Sequence, residues 1–441
     1  MAVLVRSAES KMVWSVQSKE KTLTEAQIRG LTREVLAHAQ LSGRRVLVII
    51  PDGTRSAPIG LFYKLFSELL ADETAALDFL IALGTHPPME LPAIQRRIGL
   101  RPEEWERRNP KIRILSHEWW RPESFYTAGV ISSEEVARLT HHLLTQELRV
   151  ALNRLILDYD LLIICGPVYP HEVVGFSGGN KYLFPGIAGQ EIIDFTHWLG
   201  ALLTSYAIIG TKKTPVRDVI ERAANLVPIP KLAFCLVTQG EGVAGLYAGS
   251  PAEAWSQAAD HSAQVHITYL DRPVQRVFAI MPEMYQDIWT AAKGMYKSEP
   301  VVAEGGEVIL YAPHITEFSY THGHLIEEIG YHVRDYFTQQ WDRFEQYPWG
   351  VLAHSTHLRG IGSYDPFSKT ESPRIQVTLA TGISRERCER ANLGYLDPRS
   401  IEPVEGLANG AQDVLIVPRA GEKLFRLRRE TSQNDQDSKR L

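Results

Sequence analysis

The sequence is poor in cysteine: Cys165, Cys235 and Cys388 are the whole complement, widely separated and without a CxxC spacing. That excludes a disulfide framework and a cysteine-rich zinc site, and it fits a reducing compartment. Basic blocks are missing too. The formal net charge is −5, and nothing builds the positive stripe that a nucleic-acid binder needs. No apolar run approaches the roughly 18–20 residues that span a bilayer. The opening MAVLVRSAESK is too short in its apolar part for a signal peptide. The expectation is a soluble, cytoplasmic protein that meets neither nucleic acid nor membrane. There is no repeat of solenoid length and no GxxxxGK[ST] phosphate loop. No GxGxxG follows the first strand candidate with an acidic residue about twenty positions on, which counts against a nicotinamide-dependent 2-hydroxyacid dehydrogenase.

What is present reads as an ordinary globular enzyme, 44% apolar and 22% charged, and 441 residues are enough for two domains. RRVLVII (Arg44–Ile50) is a continuous apolar run that ends at Pro51-Asp52-Gly53, as a buried parallel strand entering a functional loop would. IGLFYKLFSELL follows with helical spacing. ALDFLIALG (Ala76–Gly84) ends at THPP, and DYDLLIICGP (Asp158–Pro167) repeats the form. Alternating strands and helices predict an α/β fold whose ligands lie at the carboxyl ends of the strands. LAFCLVTQGEGVAGLYAG (Leu232–Gly249) predicts a hairpin. A second series begins near Arg276, with RVFAIMP, a helix through IWTAAKGMYK, then GEVILYAP, RIQVTLATG and DVLIVPRAG as the last strand. The expected plan is two α/β domains, 1–272 and 273–429, each with a mostly parallel or mixed sheet flanked by helices. The active site is expected in the cleft between them, and the polar tail 430–441 is expected to be disordered.

The chemistry-bearing residues gather in loops. In GFSGGNKYLFPG, adjacent glycines can turn backbone N–H groups toward an anion. Lys181 follows directly and can contact a phosphate or act as an amine nucleophile. A surface turn with a solvated lysine would read the same way. His171 and His197 bracket the turn; imidazole serves as a nickel, copper or zinc ligand, as a proton shuttle, or simply as a packed side chain. In PDGTRSAP, Asp52 and Arg55 can pair, or Arg55 can hold a carboxylate; the alternative is a capped turn with Thr54 or Ser56 opening the next helix. His86 sits in GTHPP, and Lys293 lies on a short helix. Position raises these separate signals. Asp52, Arg55, His86 and His171 all follow strands on what should be one edge of one sheet.

Taken in order, Asp52-Gly-Thr-Arg55, Gly84-Thr-His86, Asn153-Arg154 and Pro170-His171 through Ser177-Gly178-Gly179-Asn180-Lys181, with His197 sixteen residues past the lysine, resemble the nickel-dependent lactate racemase family. The likeness covers most of residues 20–310 and is most distinctive from His171 to His197. It implies a racemase or epimerase that inverts C2 of a 2-hydroxy acid by reversible hydride transfer through a 2-keto acid. The implied cofactor is the nickel pincer nucleotide, a pyridinium bisthiocarboxylic acid mononucleotide, supplied by cofactor-biosynthesis proteins. By the family pattern Lys181 joins this group, through a thioamide or by tight unlinked contact, and His197 ligates nickel. Ser177, Gly178 and Gly179 lie near its phosphate, and Asp52 and Thr54 order that end of the site. His86 and His171 are the acid/base pair. Arg55, Lys293, Trp289 and Trp341 are on the substrate side. Trp289 and Thr290 depart from the tyrosine and glutamine of the lactate enzyme, Asn180 stands where glycine or arginine is usual, and His354 and His357 are unusual, with surface or structural roles expected. A non-catalytic protein that carries the cofactor or a metal is the reading from another class; two retained proton shuttles argue against it.

Overall fold

The structure, a computed structural model, describes residues 12–19, 21–54, 56–401 and 413–428. Arg55 and the 430–441 tail therefore lie outside the described residues. Contacts group the described residues into two units, one within Met1–Leu202 and Gly210–Val265, the other within Leu203–Ile209 and His266–Leu441.

The first unit is built on strands β1 (Trp14–Gln17), β2 (Arg45–Pro51), β3 (Ala76–Ala82), β4 (Ile114–Ser116), β5 (Phe125–Ile131), β6 (Leu148–Asn153), β7 (Leu161–Pro167), β8 (Lys231–Gln239) and β9 (Gly242–Gly249). Seven of them form one sheet in the order β1-β9-β8-β7-β2-β3-β4. The run β8-β7-β2-β3-β4 is parallel, and β8 and β9 make the expected antiparallel hairpin. Its longer helices are α1 (Glu25–Ala39), α2 (Ile59–Leu70), α3 (Leu91–Ile98), α4 (Gln190–Leu203), α5 (Pro215–Asn225) and α6 (Pro251–His266). β2 is apolar throughout its interior because both faces are covered: Val46 to Ile50 are buried. α1 starts where the Thr24 hydroxyl accepts the Gln27 N–H while the Gln27 side chain accepts the Thr24 N–H, satisfying two orphan donors at once. α2 presents Phe62, Leu65 and Phe66 to the sheet, where Phe66 meets Phe234 of β8 edge-on.

The strand order contains the feature that positions the site. From β2 the chain winds outward through β3 to β4, and it later returns to β7 on the other side of β2. Connections leave β2 and β7 in opposite directions, so a crevice opens at their carboxyl ends. Asp52 follows β2, His86 follows β3 and His171 follows β7.

The second unit carries a parallel five-stranded sheet of β10 (Val274–Ile280), β11 (Val302–Ala312), β12 (Gln376–Thr381), β13 (Gly394–Tyr395) and β14 (Val414–Val417), in the order β13-β12-β11-β10-β14. Two details differ from the sequence expectation. The predicted helix through IWTAAKGMYK is broken into Ile288–Ala291 and Lys293–Tyr296. The last described strand is Leu424–Leu427, which pairs in parallel with Ile267–Leu270, so β14 is not the end of the fold. The break falls at Ala292, ahead of Gly294, and the late strand LFRL is too short to stand out in the sequence. Among the described residues no helix is long and apolar enough to cross a membrane.

Glu299 in this unit is fully buried; its Oε1 accepts the Ile361 N–H at 2.9 Å, while Oε2 has no hydrogen-bond partner among the described residues. Burial pushes its carboxyl up to about 7, against the pull of Ile361 N–H and the Arg374 charge. The native state therefore holds this proton more tightly than the unfolded chain, and its contribution to stability is lost as pH rises through 7. Glu299→Gln keeps an acceptor for Ile361 and carries no charge. Relative to wild type it is expected to gain stability at pH 8 and not at pH 5, read from denaturant midpoints. An equal change at both pH values contradicts this.

Candidate active site

At the carboxyl end of β2, Asp52 is nearly buried and each of its oxygens is engaged. Oδ1 accepts the Thr54 N–H at 3.0 Å and the Thr54 hydroxyl at 2.7 Å, and Oδ2 meets His86 Nδ1 at 2.5 Å. A carboxylate on Nδ1 fixes the imidazole's orientation and steadies positive charge on it. Thr54 is thus spent on Asp52. It does not open α2, which begins after Pro58 with no side-chain cap. Behind the loop, Arg97 of α3 donates to the carbonyls of Pro51 at 3.0 Å and Ala57 at 3.4 Å. Burial lowers its proton affinity and the Asp52 charge raises it. Sequence reading missed Arg97, since nothing local distinguishes it from its neighbour Arg96.

The β7 loop is stitched to this one: the Tyr169 hydroxyl donates to Ser56 O at 2.8 Å. His171 is buried. Its Nδ1 accepts the Val173 N–H at 3.1 Å and lies 3.2 Å from Glu172 Oε2. Glu172, unremarked in the sequence, stands at this site through adjacency alone.

The Ser-Gly-Gly turn is itself buried, and several of its polar groups are occupied from within. Ser177 N–H donates to Tyr169 O, its hydroxyl accepts the Tyr169 N–H at 2.9 Å, and its carbonyl accepts Trp255 Nε1–H at 2.9 Å. Arg217 of α5 donates to the carbonyls of Phe176 and Gly178 and stacks over Trp255 at 3.9 Å. Gly178 has φ +87°, and a Cβ there would lie 2.6 Å from Val168 Cγ2. Only glycine passes that close to the wall. The turn is a packed support that delivers Lys181, which starts from the 3-10 turn Gly179–Tyr182. Asn180 donates to Glu221 Oε2 at 2.7 Å, a use for the unusual residue.

The same segment is anchored downstream. His117 Nε2 faces Ala188 O at 3.3 Å while its Nδ1 meets the Asn153 amide at 3.0 Å, and Asn153 N–H donates to Ile187 O. Asn153 is therefore a structural clip for the loop that leads into α4. On α4, His197 Nδ1 lies 2.6 Å from Ile193 O; the carbonyl can only accept, so the ring proton is on Nδ1 and the lone pair is on Nε2. Burial drives this imidazole down to about 4. Ile193 O and Glu172 oppose the shift, whereas Lys181 and His86 add to it. His86, Glu172 and Lys181 are thus each within electrostatic reach of His197. α4 lies tight on the β7 loop at Gly200, where a Cβ would be 3.0 Å from both Val173 Cγ1 and Val173 O. Gly200→Ala is expected to push the helix away and cost about 1–3 kcal/mol. A denaturation midpoint equal to wild type contradicts that contact.

His117 is also held neutral down to about 4, mainly by burial, against the pull of Ala188 O. For both rings the unfolded chain takes its proton near the ordinary value and the native state only near 4. Their contribution to stability is complete above that ordinary value and is lost as pH falls toward 4. At pH 5 both rings are expected to remain uncharged in the folded protein, read from imidazole carbon shifts. A charged ring at that pH overturns the assignment.

In the second unit, Lys293 is buried, donates to Thr290 O at 3.1 Å and lies over the Tyr285 ring at 4.8 Å. Trp289 stacks on His354 with centroids 4.1 Å apart and meets His322 at 4.8 Å. His354 and His357 are both buried on the helix Trp349–Arg359, so neither has the surface role that sequence reading allowed. Trp341 meets Trp349, at the start of that helix, with ring centroids 5.7 Å apart.

Among the described residues no three His, Cys, Asp or Glu side chains form a metal cage. A metal at His197 would need other ligands carried in with it. One locked imidazole beside an amine is a donor set that fits a metal already held by a soft organic ligand. Fold and site together are those of an α/β protein, and the family model of the lactate racemase N-terminal domain matches residues 2–208. Over these residues and beyond, the chain is similar to lactate racemases. It is 24% identical over 278 residues to the lactate racemase of Thermoanaerobacterium thermosaccharolyticum, 61% of this chain and 60% of that protein. To the lactate racemase of Lactiplantibacillus plantarum it is 26% identical over 170 residues, 36% of this chain and 38% of that protein. The chain therefore matches less than two thirds of the length of these curated relatives. A crystal structure of a protein from Thermotoga maritima superposes with a TM-score of 0.86 at 31% identity, covering 94% of this chain and all of that one. The lactate racemase apoprotein of T. thermosaccharolyticum superposes at 0.69 with 18% identity, covering 97% of this chain and all of the other; it supports the fold alone.

Proposed function

We propose that the chain is an isomerase that racemises or epimerises a 2-hydroxy acid at C2. The observation that supports this reading is that His86 and Lys181 both act electrostatically on the buried His197, whose ring proton is committed to Ile193 O. Lys181 and His197 would hold a nickel pincer nucleotide, the amine linking or clamping its organic part and the imidazole ligating nickel. Such a group, when bound, supplies a hydride acceptor for a C2–H bond that is too weakly acidic to be removed as a proton. The chain's own task is the other hydrogen. His86, backed by Asp52, takes the hydroxyl proton of one enantiomer, and His171 serves the other after the planar 2-keto acid presents its opposite face. Asp52 and Thr54 order this end of the site, and the buried Ser177-Gly178-Gly179 turn acts on the cofactor by presenting Lys181. Arg55, Lys293, Trp289 and Trp341 keep the substrate contacts that the family pattern gives them. With Trp289 covered by imidazole rings, its wall is less apolar than an open indole, and lactate is one candidate among several 2-hydroxy acids.

The test is to make the protein with and without the pincer-nucleotide pathway. Mass spectrometry should find the cofactor and one nickel only in the first preparation, and only that preparation should erode the optical purity of a 2-hydroxy acid panel. Turnover by cofactor-free protein with added NAD would establish the dehydrogenase instead. Cofactor uptake without inversion of any acid would establish a carrier.

A further inference from the structure

We infer that His86 and His171 rest with their ring protons on opposite nitrogens, and that Glu172 is the positioning residue that receives His171 when it is charged. The inference deepens the proposed acid/base roles and rests on them for its catalytic meaning, though not for its structural content.

The two imidazoles meet different partners at the same atom. His86 Nδ1 faces the Asp52 carboxylate at 2.5 Å, which can only accept, so the neutral ring keeps its proton there and carries its lone pair on Nε2. His171 Nδ1 faces a donor, the Val173 N–H at 3.1 Å, and the neutral ring accepts that bond only with Nδ1 bare and the proton on Nε2. One ring is set as a base at Nε2 and the other as a donor. His197 adds no ambiguity, because Ile193 O has already fixed its proton.

A neutral ring that gave up its Nε2 proton would become an anion, so His171 must carry two protons before it can serve as an acid. The second has to enter at Nδ1. There the Val173 N–H has to yield, and the acceptor within reach is Glu172 Oε2 at 3.2 Å. Glu172 is largely buried, with a side chain 16% exposed, so its attraction for an imidazolium is poorly screened. The protons balance over one inversion. The substrate O–H bond breaks as His86 Nε2–H forms, and His171 Nε2–H breaks as the O–H of the opposite enantiomer forms. His86 has gained the proton that His171 has lost, and exchange with water resets the pair.

The experiment is nitrogen NMR on the full chain labelled in histidine, with His86→Gln and His171→Gln used to assign signals. Near neutral pH, His86 should show the Nδ1–H pattern and His171 the Nε2–H pattern. In acid, the charged His171 should show a far-downfield Nδ1 proton in wild type that is lost in Glu172→Gln, while the His86 signals stay in place. In the loaded enzyme Glu172→Gln should lower kcat about tenfold with little change in KM, the loss expected for one charged hydrogen bond. The same tautomer at both rings, or a downfield proton that survives Glu172→Gln, overturns the inference. Correct tautomers in a protein that inverts no 2-hydroxy acid would instead remove the racemase reading and leave the proton placement standing.

Discussion

His86→Ala is expected to lower C2 inversion by about a hundred- to ten-thousandfold, the range that a positioned acid or base contributes. His171→Ala should fall in the same range, because each ring serves one face of the substrate and a full inversion uses both. The measurement is loss of optical purity, with nickel content determined in parallel. Retained nickel with lost inversion is the expected pairing, since neither residue is assigned to hold the metal. His197→Ala should lose nickel and inversion together. Full inversion with either His86 or His171 missing would falsify the two-base scheme. Asp52→Asn tests the support: it keeps the shape but removes the charge that steadies His86, so a smaller fall than His86→Ala is expected.

The second large effect is on folding. Arg217 is buried beneath the glycine turn, donating to two of its carbonyls and stacked on Trp255, with Glu221 at 3.5 Å. Burial draws its guanidinium down to about 10, which leaves it charged at neutral pH. Arg217→Ala would empty that space, orphan the Phe176 and Gly178 carbonyls, and leave the Glu221 carboxylate without its cation. Each buried carbonyl left without its donor costs about 1–3 kcal/mol, and the partly exposed Glu221 adds less. A denaturant midpoint within experimental error of wild type would refute the support role. Lys181 should then also lose its placement, visible as cofactor uptake falling further than stability alone explains.

Much of this was legible from residue order. Asp52, His86 and His171 could be set on one sheet edge because three apolar runs each stop at a polar loop, and a parallel sheet gives all such loops the same end. Their pairing could not be read. His86 finds Asp52 across thirty-four positions, and no local pattern reports the β7–β2–β3 adjacency that makes them neighbours. The glycine turn was legible only in part. Adjacent glycines before a lysine suggest a loop that can face an anion; that the Ser177 and Gly178 carbonyls are held by Trp255 and Arg217, both far along the chain, could not be read. Arg97 and Arg217 were invisible for the same reason, since a buried arginine looks like a surface one until its surroundings are known. His354 was noticed as unusual, but its burial against Trp289 depends on a helix packing that one sequence does not encode visibly.

The internally satisfied turn has a consequence for how the protein is loaded. With its carbonyls already bonded and its glycines already against the Val168 and Trp255 side chains, the receptacle exists before any guest arrives. Docking then orders little new backbone. Calorimetry of loading should show a modest heat-capacity change, set by the guest's own surface, without the larger signal of a segment that folds around its ligand.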